Sequence, residues 1–154
     1  MNTMSNHRTY MELAILEAKK AAQKEEVPVG ALLVDGTGKV LSKAHNLTIS
    51  LADPTAHAEI LALRSAGKKV NNYRLLNTTL YVTVEPCVMC MGAIINARIA
   101  RVIFGAPDPK WGAVGSLYDF STDERFNHHP KILAGICEKQ CKKMMQDFFR
   151  ARRN

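Results

Sequence analysis

Between His7 and Glu25 the apolar residues Met11, Ala14, Ile15, Ala18, Ala21 and Ala22 recur at helical spacing, with Glu12, Lys19, Lys20 and Lys24 among them. The pattern predicts a first amphipathic helix. The period then changes. Val29 to Val34 is a compact apolar run behind Pro28, which can open a strand but not sit in its middle, and Asp35-Gly36-Thr37-Gly38 offers a turn into a return strand over Lys39 to Asn46. Residues 47–54 read as a loop. Asp53-Pro54-Thr55 reads as a cap for a helix from Thr55 or Ala56 to Ala66, with Gly67 as its terminator.

Further on, Leu80 to Val84 has the β-branched and aromatic composition of a buried strand, and Glu85-Pro86 breaks it before a helix over Val88 to Asn96. Arg101 to Gly105 predicts another strand. The stretch Ala106 to Ser116 carries two prolines and two glycines and predicts an irregular, functional loop. Lys131 to Ile136 predicts a last short strand. Cys137 to Arg152 predicts a last helix with Cys141, Met144, Met145, Phe148 and Phe149 at helical spacing. Strands alternating with helices give an α/β layered domain, and at 154 residues one domain over 1–154 is expected.

Composition narrows the setting. No apolar run approaches the ~20 residues of a membrane helix, and the first thirty residues lack the hydrophobic segment of a signal peptide. No membrane partner and a cytoplasmic location are expected. In a reducing compartment the four cysteines point to metal before disulfides. The formal charge of +7 biases the chain toward polyanions, because lysine and arginine release counterions on meeting phosphates.

The chemistry sits in two short segments, His57-Ala58-Glu59 and Pro86-Cys87-Val88-Met89-Cys90. One imidazole and two thiolates give a catalytic zinc site three protein ligands and leave the fourth corner for water. With two thiolates the centre is neutral, so the ion stays Lewis acidic and lowers the pKa of its water. Both segments open predicted helices, where the positive end of the dipole favours thiolate over thiol. Residues two apart diverge in mid-helix, but at a first turn His57 can bind the metal while the longer Glu59 reaches its water as the acid-base group.

Other readings of these residues are weaker. A thiol redox pair needs no His-x-Glu. A structural four-cysteine site completed by Cys137 and Cys141 leaves His57 and Glu59 without a use, and those two cysteines fit better as small apolar residues on the buried face of the last helix. The methionines read as core filler. His7, His45, His128 and His129 lack ligand spacing.

On these motifs the chain resembles the zinc-dependent nucleobase deaminases, whose known signature is H-x-E with P-C-x-x-C. Within them it resembles the bacterial tRNA adenosine deaminases of the TadA type. The likeness extends to Glu26-Val27-Pro28-Val29-Gly30-Ala31, Asp53 to Glu59, Asn72-Tyr73-Arg74-Leu75, Thr83 to Cys90, Phe104-Gly105-Ala106, Gly115-Ser116-Leu117 and Asp147-Phe148-Phe149-Arg150. The resemblance implies a three-layer α/β/α cytidine-deaminase-like fold, a central mixed sheet with helices on both faces. It implies hydrolytic deamination of adenosine to inosine at the wobble position of a tRNA anticodon, an arginine tRNA, by zinc-activated water. One Zn2+ per subunit is held by His57, Cys87 and Cys90, and Glu59 is the proton shuttle.

The same resemblance implies that Asn46 hydrogen-bonds the target nucleotide with the Ala58 backbone beside it. It makes Asp108, Lys110, Phe148, Phe149, Arg150, Arg152 and Arg153 the RNA-contacting positions, and it implies a homodimer. Aromatic stacking and arginine–phosphate contacts suit a single-stranded anticodon loop, although core packing is the simpler expectation for at least one of the two phenylalanines. Trp111 departs from the family, which more often has a small or polar residue there, and Pro109 stiffens the same loop. Tolerance for flanking bases is what these two put in question. The alternatives are a zinc-dependent deaminase of a free nucleobase or nucleoside, which needs no basic C-terminus, and a zinc-stabilised RNA-binding module without catalysis.

Overall fold

The computed structural model describes residues 3–153. After α1 (Thr3–Gln23) the chain forms a hairpin of β1 (Gly30–Val34) and β2 (Val40–His45), closed by Asp35, whose carboxylate accepts the Thr37 and Lys39 N–H groups at 2.9 and 3.0 Å. Then follow α2 (Ala58–Val70), β3 (Thr79–Val84), α3 (Val88–Asn96), β4 (Arg101–Ala106), β5 (Lys131–Ala134) and α4 (Glu138–Arg152). The sheet order is β2-β1-β3-β4-β5, antiparallel from β2 to β3 and parallel from β3 to β5.

Strand alternation sorts the core into two layers. Ala31, Leu33, Leu80, Val82, Val102 and Phe104 face Ala58, Ala62, Ala66, Met91 and Ile94 of α2 and α3. Leu32, Val34, Tyr81 and Ile103 face Met11, Ala14 and Ile15 of α1 and Cys141 of α4. The result is the expected three-layer α/β/α fold with a mixed sheet. Gly30 is required where α1 crosses β1, because a side chain there would collide with the Ala14 carbonyl and the Ala18 amide. Gly105 has the same role against Cys141, which is fully buried.

Helices α1, α2 and α4 differ in their bounds from the sequence reading, α1 running Thr3–Gln23 in place of His7 to Glu25. Helix α2 starts at Ala58, because the Asp53 carboxylate caps a local turn through the Thr55 N–H and hydroxyl at 2.8 and 2.7 Å instead of capping the helix. At its other end α2 runs through Gly67 to Val70 and stops at Asn71, whose left-handed conformation (φ 55°) lets its N–H reach the Gly67 carbonyl. Helix α4 begins one residue later than expected, since Cys137 takes the N-cap position at φ 57° and stays partly exposed.

Candidate active site

Because β1 runs against both β2 and β3, the end of β2, the start of β1 and the end of β3 lie along one edge of the sheet. The N-termini of α2 and α3 meet beyond that edge, which is where ligands bind in sheets of this kind. His57 is the N-cap of α2 and Cys87 the N-cap of α3, and neither side chain caps its own helix. The two positions that would ordinarily satisfy helix N–H groups turn inward instead. Cys90, fully buried in the first turn of α3, completes the group: the ligand atoms of His57, Cys87 and Cys90 all lie within 4.8 Å of one another, the only such cluster among the described residues.

His57 Nδ1 lies 3.6 Å from the Cys87 sulfur and 3.5 Å from the Cys90 sulfur. Cys90 hydrogen-bonds to the Cys87 sulfur, and His57 adds to that, so the Cys87 thiol is lowered to about 4 although burial opposes it. Cys90 moves the opposite way, upward, through that same bond and its burial. His57 is raised by its bond to Cys87. One nitrogen and two sulfurs converging at these distances are a soft, borderline donor set that fits zinc.

Glu59 is 4% exposed and lies on the same side, within hydrogen-bonding reach of the Cys90 thiol and of its own backbone N–H. Burial pushes its carboxyl up to about 7, against the pull of His57, so it can hold or release a proton near neutrality. Asn46, just past β2, caps α2 from a distance: its Oδ1 accepts the Ala58 N–H at 2.8 Å. The Ala58 N–H is thereby engaged, and Asn46 and Ala58 both sit in the wall of the centre. Next to Asn46, His45 is held between Glu17 at 3.1 Å and Lys24 at 3.0 Å.

The predicted site residues form three groups. His57, Ala58, Glu59, Cys87, Cys90 and Asn46 come together. Asp108 and Lys110 lie in the loop after β4, which reaches the centre because Gly112 bridges to Cys87 and the Ala113 N–H bonds to the Pro86 carbonyl at 2.8 Å. Phe148, Phe149, Arg150, Arg152 and Arg153 form a third group at the end of α4. Neither phenylalanine belongs to the core, correcting the expectation that at least one would: Phe148 is half-buried and Phe149 is 44% exposed. They meet edge to face, the Arg152 guanidinium lies 3.4 Å over Phe148, and Arg152 also donates to the Glu25 carbonyl at 3.1 Å.

Three buried carboxylates were not anticipated: Glu17, which holds His45, and two that tie loops to the fold. Glu85, 4% exposed, accepts hydrogen bonds from the Asp108, Val114 and Ser116 N–H groups at 3.0, 3.1 and 3.1 Å and from the Ser116 hydroxyl, so it ties the loop after β4 to the start of α3. Gly112 packs on that carboxylate, where any side chain would overlap it. Glu26, fully buried, accepts the Ile49 and Ser50 N–H groups at 3.1 and 2.7 Å and the Ser50 hydroxyl at 2.7 Å, which ties the loop after β2 to the end of α1. The available signal for Glu85 and Glu26 was an acid directly after a strand of β-branched and aromatic composition and one directly before Val-Pro-Val.

Comparison with known proteins agrees with this geometry. The family model described as the cytidine and deoxycytidylate deaminase zinc-binding region matches residues 4–106. The tRNA-specific adenosine deaminase of Haemophilus influenzae is 48% identical over 143 residues, 93% of this chain and 83% of the relative. That of Bacillus subtilis is 46% identical over 147 residues, 96% of this chain and 91% of the relative. A solved structure from studies of A-to-I editing by tRNA:A34 deaminases at the wobble position of transfer RNA superimposes with a TM-score of 0.85 at 43% identity, covering 88% of this chain and 98% of that one.

Proposed function

Because this chain belongs to the cytidine and deoxycytidylate deaminase zinc-binding family, we propose that it deaminates adenosine to inosine at the first anticodon position of a tRNA, an arginine tRNA by resemblance. The observation that carries this is the convergence of His57, Cys87 and Cys90 within 4.8 Å beside a buried Glu59 raised to about 7. Those three side chains would hold one zinc ion per subunit, which would make water available as a nucleophile at neutral pH. Glu59 would take the first proton of the attacking water and pass it to the purine ring as oxygen bonds to C6, then take the second proton from the C6 hydroxyl and deliver it to the amino group, which leaves as ammonia as the C6–N bond breaks and C6=O forms. Asn46 holds the α2 N-terminus in place and borders the target nucleotide, with the Ala58 backbone beside it.

Lys110 and the loop shaped by Asp108 meet the RNA near the flipped base. The Asp108 carboxylate fixes this loop by accepting the Lys110 N–H at 3.1 Å. Phe148 and Phe149 offer ring faces and edges, and Arg150, Arg152 and Arg153 offer charge to phosphates. A second copy of the chain completes the enzyme. The open groove of about 1130 Å³ between α2 and α3, lined by Ile60, Leu63, Tyr73, Leu75, Met89 and Ala93, supports a homodimer. No helix among the described residues is long and apolar enough to cross a membrane, and a tRNA substrate supports a cytoplasmic location.

The test offers zinc-loaded protein an anticodon stem-loop RNA, free adenosine, cytidine and guanine. Inosine in the RNA is expected. Product from a free base or nucleoside without inosine in the RNA would overturn the assignment.

A further inference from the structure

Trp111 is the only tryptophan of the chain and is 66% exposed. Among the described residues no ring stacks on its indole and no hydrogen bond reaches its ring nitrogen; only its backbone is held, with the N–H donating to the Asp108 carboxylate at 3.3 Å. The surface that carries the ring is fixed. Gly112, the next residue, bridges to Cys87 and donates to the Asp108 carbonyl at 2.8 Å, and Glu85 collects four donors from residues 108–116. The loop therefore carries an unpartnered indole one residue from Gly112, which bridges to the proposed metal ligand Cys87, with exposed Lys110 beside it.

A rigidly presented ring loses little freedom when a partner stacks on it. Its place beside the metal centre and next to a free ammonium suits an unpaired nucleobase whose phosphate lies within reach of Lys110, because every base has a π-face. We propose that Trp111 is the stacking platform for a base flanking the nucleotide that enters the metal centre, and so a determinant of which neighbours the enzyme accepts. The inference rests on the nucleic-acid reading above and adds a residue and a role to it.

The single indole makes the test direct. Zinc-loaded Glu59→Gln protein is titrated with anticodon stem-loop RNA while tryptophan fluorescence is followed. Quenching on binding is expected, and it is expected to disappear when one of the two bases flanking the target is replaced by an abasic site. Trp111→Ala is expected to weaken RNA binding by about 5- to 150-fold and to lose that penalty on the same abasic RNA, while Trp111→Phe keeps most of the affinity. Unchanged fluorescence at saturation, equal quenching by both abasic RNAs, or wild-type affinity in Trp111→Ala would overturn the proposal. An indole signal that changes with protein concentration alone would also overturn it, since Trp111 would then lie between copies. Quenching in the Glu59→Gln titration combined with no inosine made by the wild-type protein would refute the deaminase reading and leave the platform standing; inosine made by the wild type without quenching in that titration would do the reverse.

Discussion

At the N-termini of α2 and α3 the side chains available for chemistry are buried or half-buried and already fixed by neighbours, whereas at the end of α4 Phe149 and the arginines are exposed and Phe148 is half-buried. The first region takes its geometry from tertiary contacts: Asn46 caps α2 from twelve residues upstream, and Glu85 binds the loop after β4 to α3. The second is held to the α1 end by the Arg152–Glu25 bond. Bond-making demands atoms fixed to a fraction of an ångström, while gripping a polyanion demands exposed charge and ring faces. Substitutions in the two regions are therefore expected to fail in different ways.

The largest effect is expected at Glu59. Glu59→Gln keeps the shape and removes the proton carrier, so kcat is expected to fall by at least about 10² to 10⁴ with zinc content and melting temperature nearly unchanged; a loss of zinc would make Glu59 a structural residue. Next comes Glu85→Gln, in which an amide nitrogen would face a cluster of donors. A loss of about 1–3 kcal/mol is expected, read as a lower melting temperature together with a raised KM for RNA. Phe149→Ala sharpens the contrast, since the ring is exposed: KM for RNA is expected to rise with kcat and thermal stability unchanged. A drop in melting temperature would move Phe149 into the fold's own packing.

Arg152→Ala with Arg153→Ala is expected to reduce the slope of log affinity against log salt by about 0.7 for each phosphate that the pair neutralises. An unchanged slope would remove these arginines from the RNA interface. The smallest effect concerns Glu26. Burial raises its carboxyl, but the hydrogen bonds from Ser50, Ile49 and Thr48 outweigh that and hold it below its ordinary value of 4.5. Its clasp on the loop after β2 is present above that value and is lost as pH falls below it. Glu26→Gln is expected to flatten the acid limb of stability against pH; an unaltered limb would mean that other carboxylates govern it.

The convergence of His57, Cys87 and Cys90 beside Glu59 was legible because its signal is local: residue spacing and helix starts are written in adjacent residues, and the strands announce themselves by alternation and β-branching. What escaped was non-local. Asp53-Pro54 has the composition of a helix cap, yet its carboxylate serves Thr55, and the atom that caps α2 comes from Asn46. Glu85 and Glu26 read as ordinary acids because their partners are backbone N–H groups of loops far along the chain. Phe148 and Phe149 have helical spacing suited to a core, but the facing sheet is already covered by Cys141 and α1.

The central claim is that one nitrogen and two sulfurs of this chain hold a single zinc beside Glu59. X-ray absorption at the zinc edge on active protein, with metal quantified per chain, tests it most directly. One zinc bound by one imidazole, two sulfurs and a light atom is predicted. An active protein without zinc, or a four-sulfur shell drawing in Cys137 and Cys141, would contradict it.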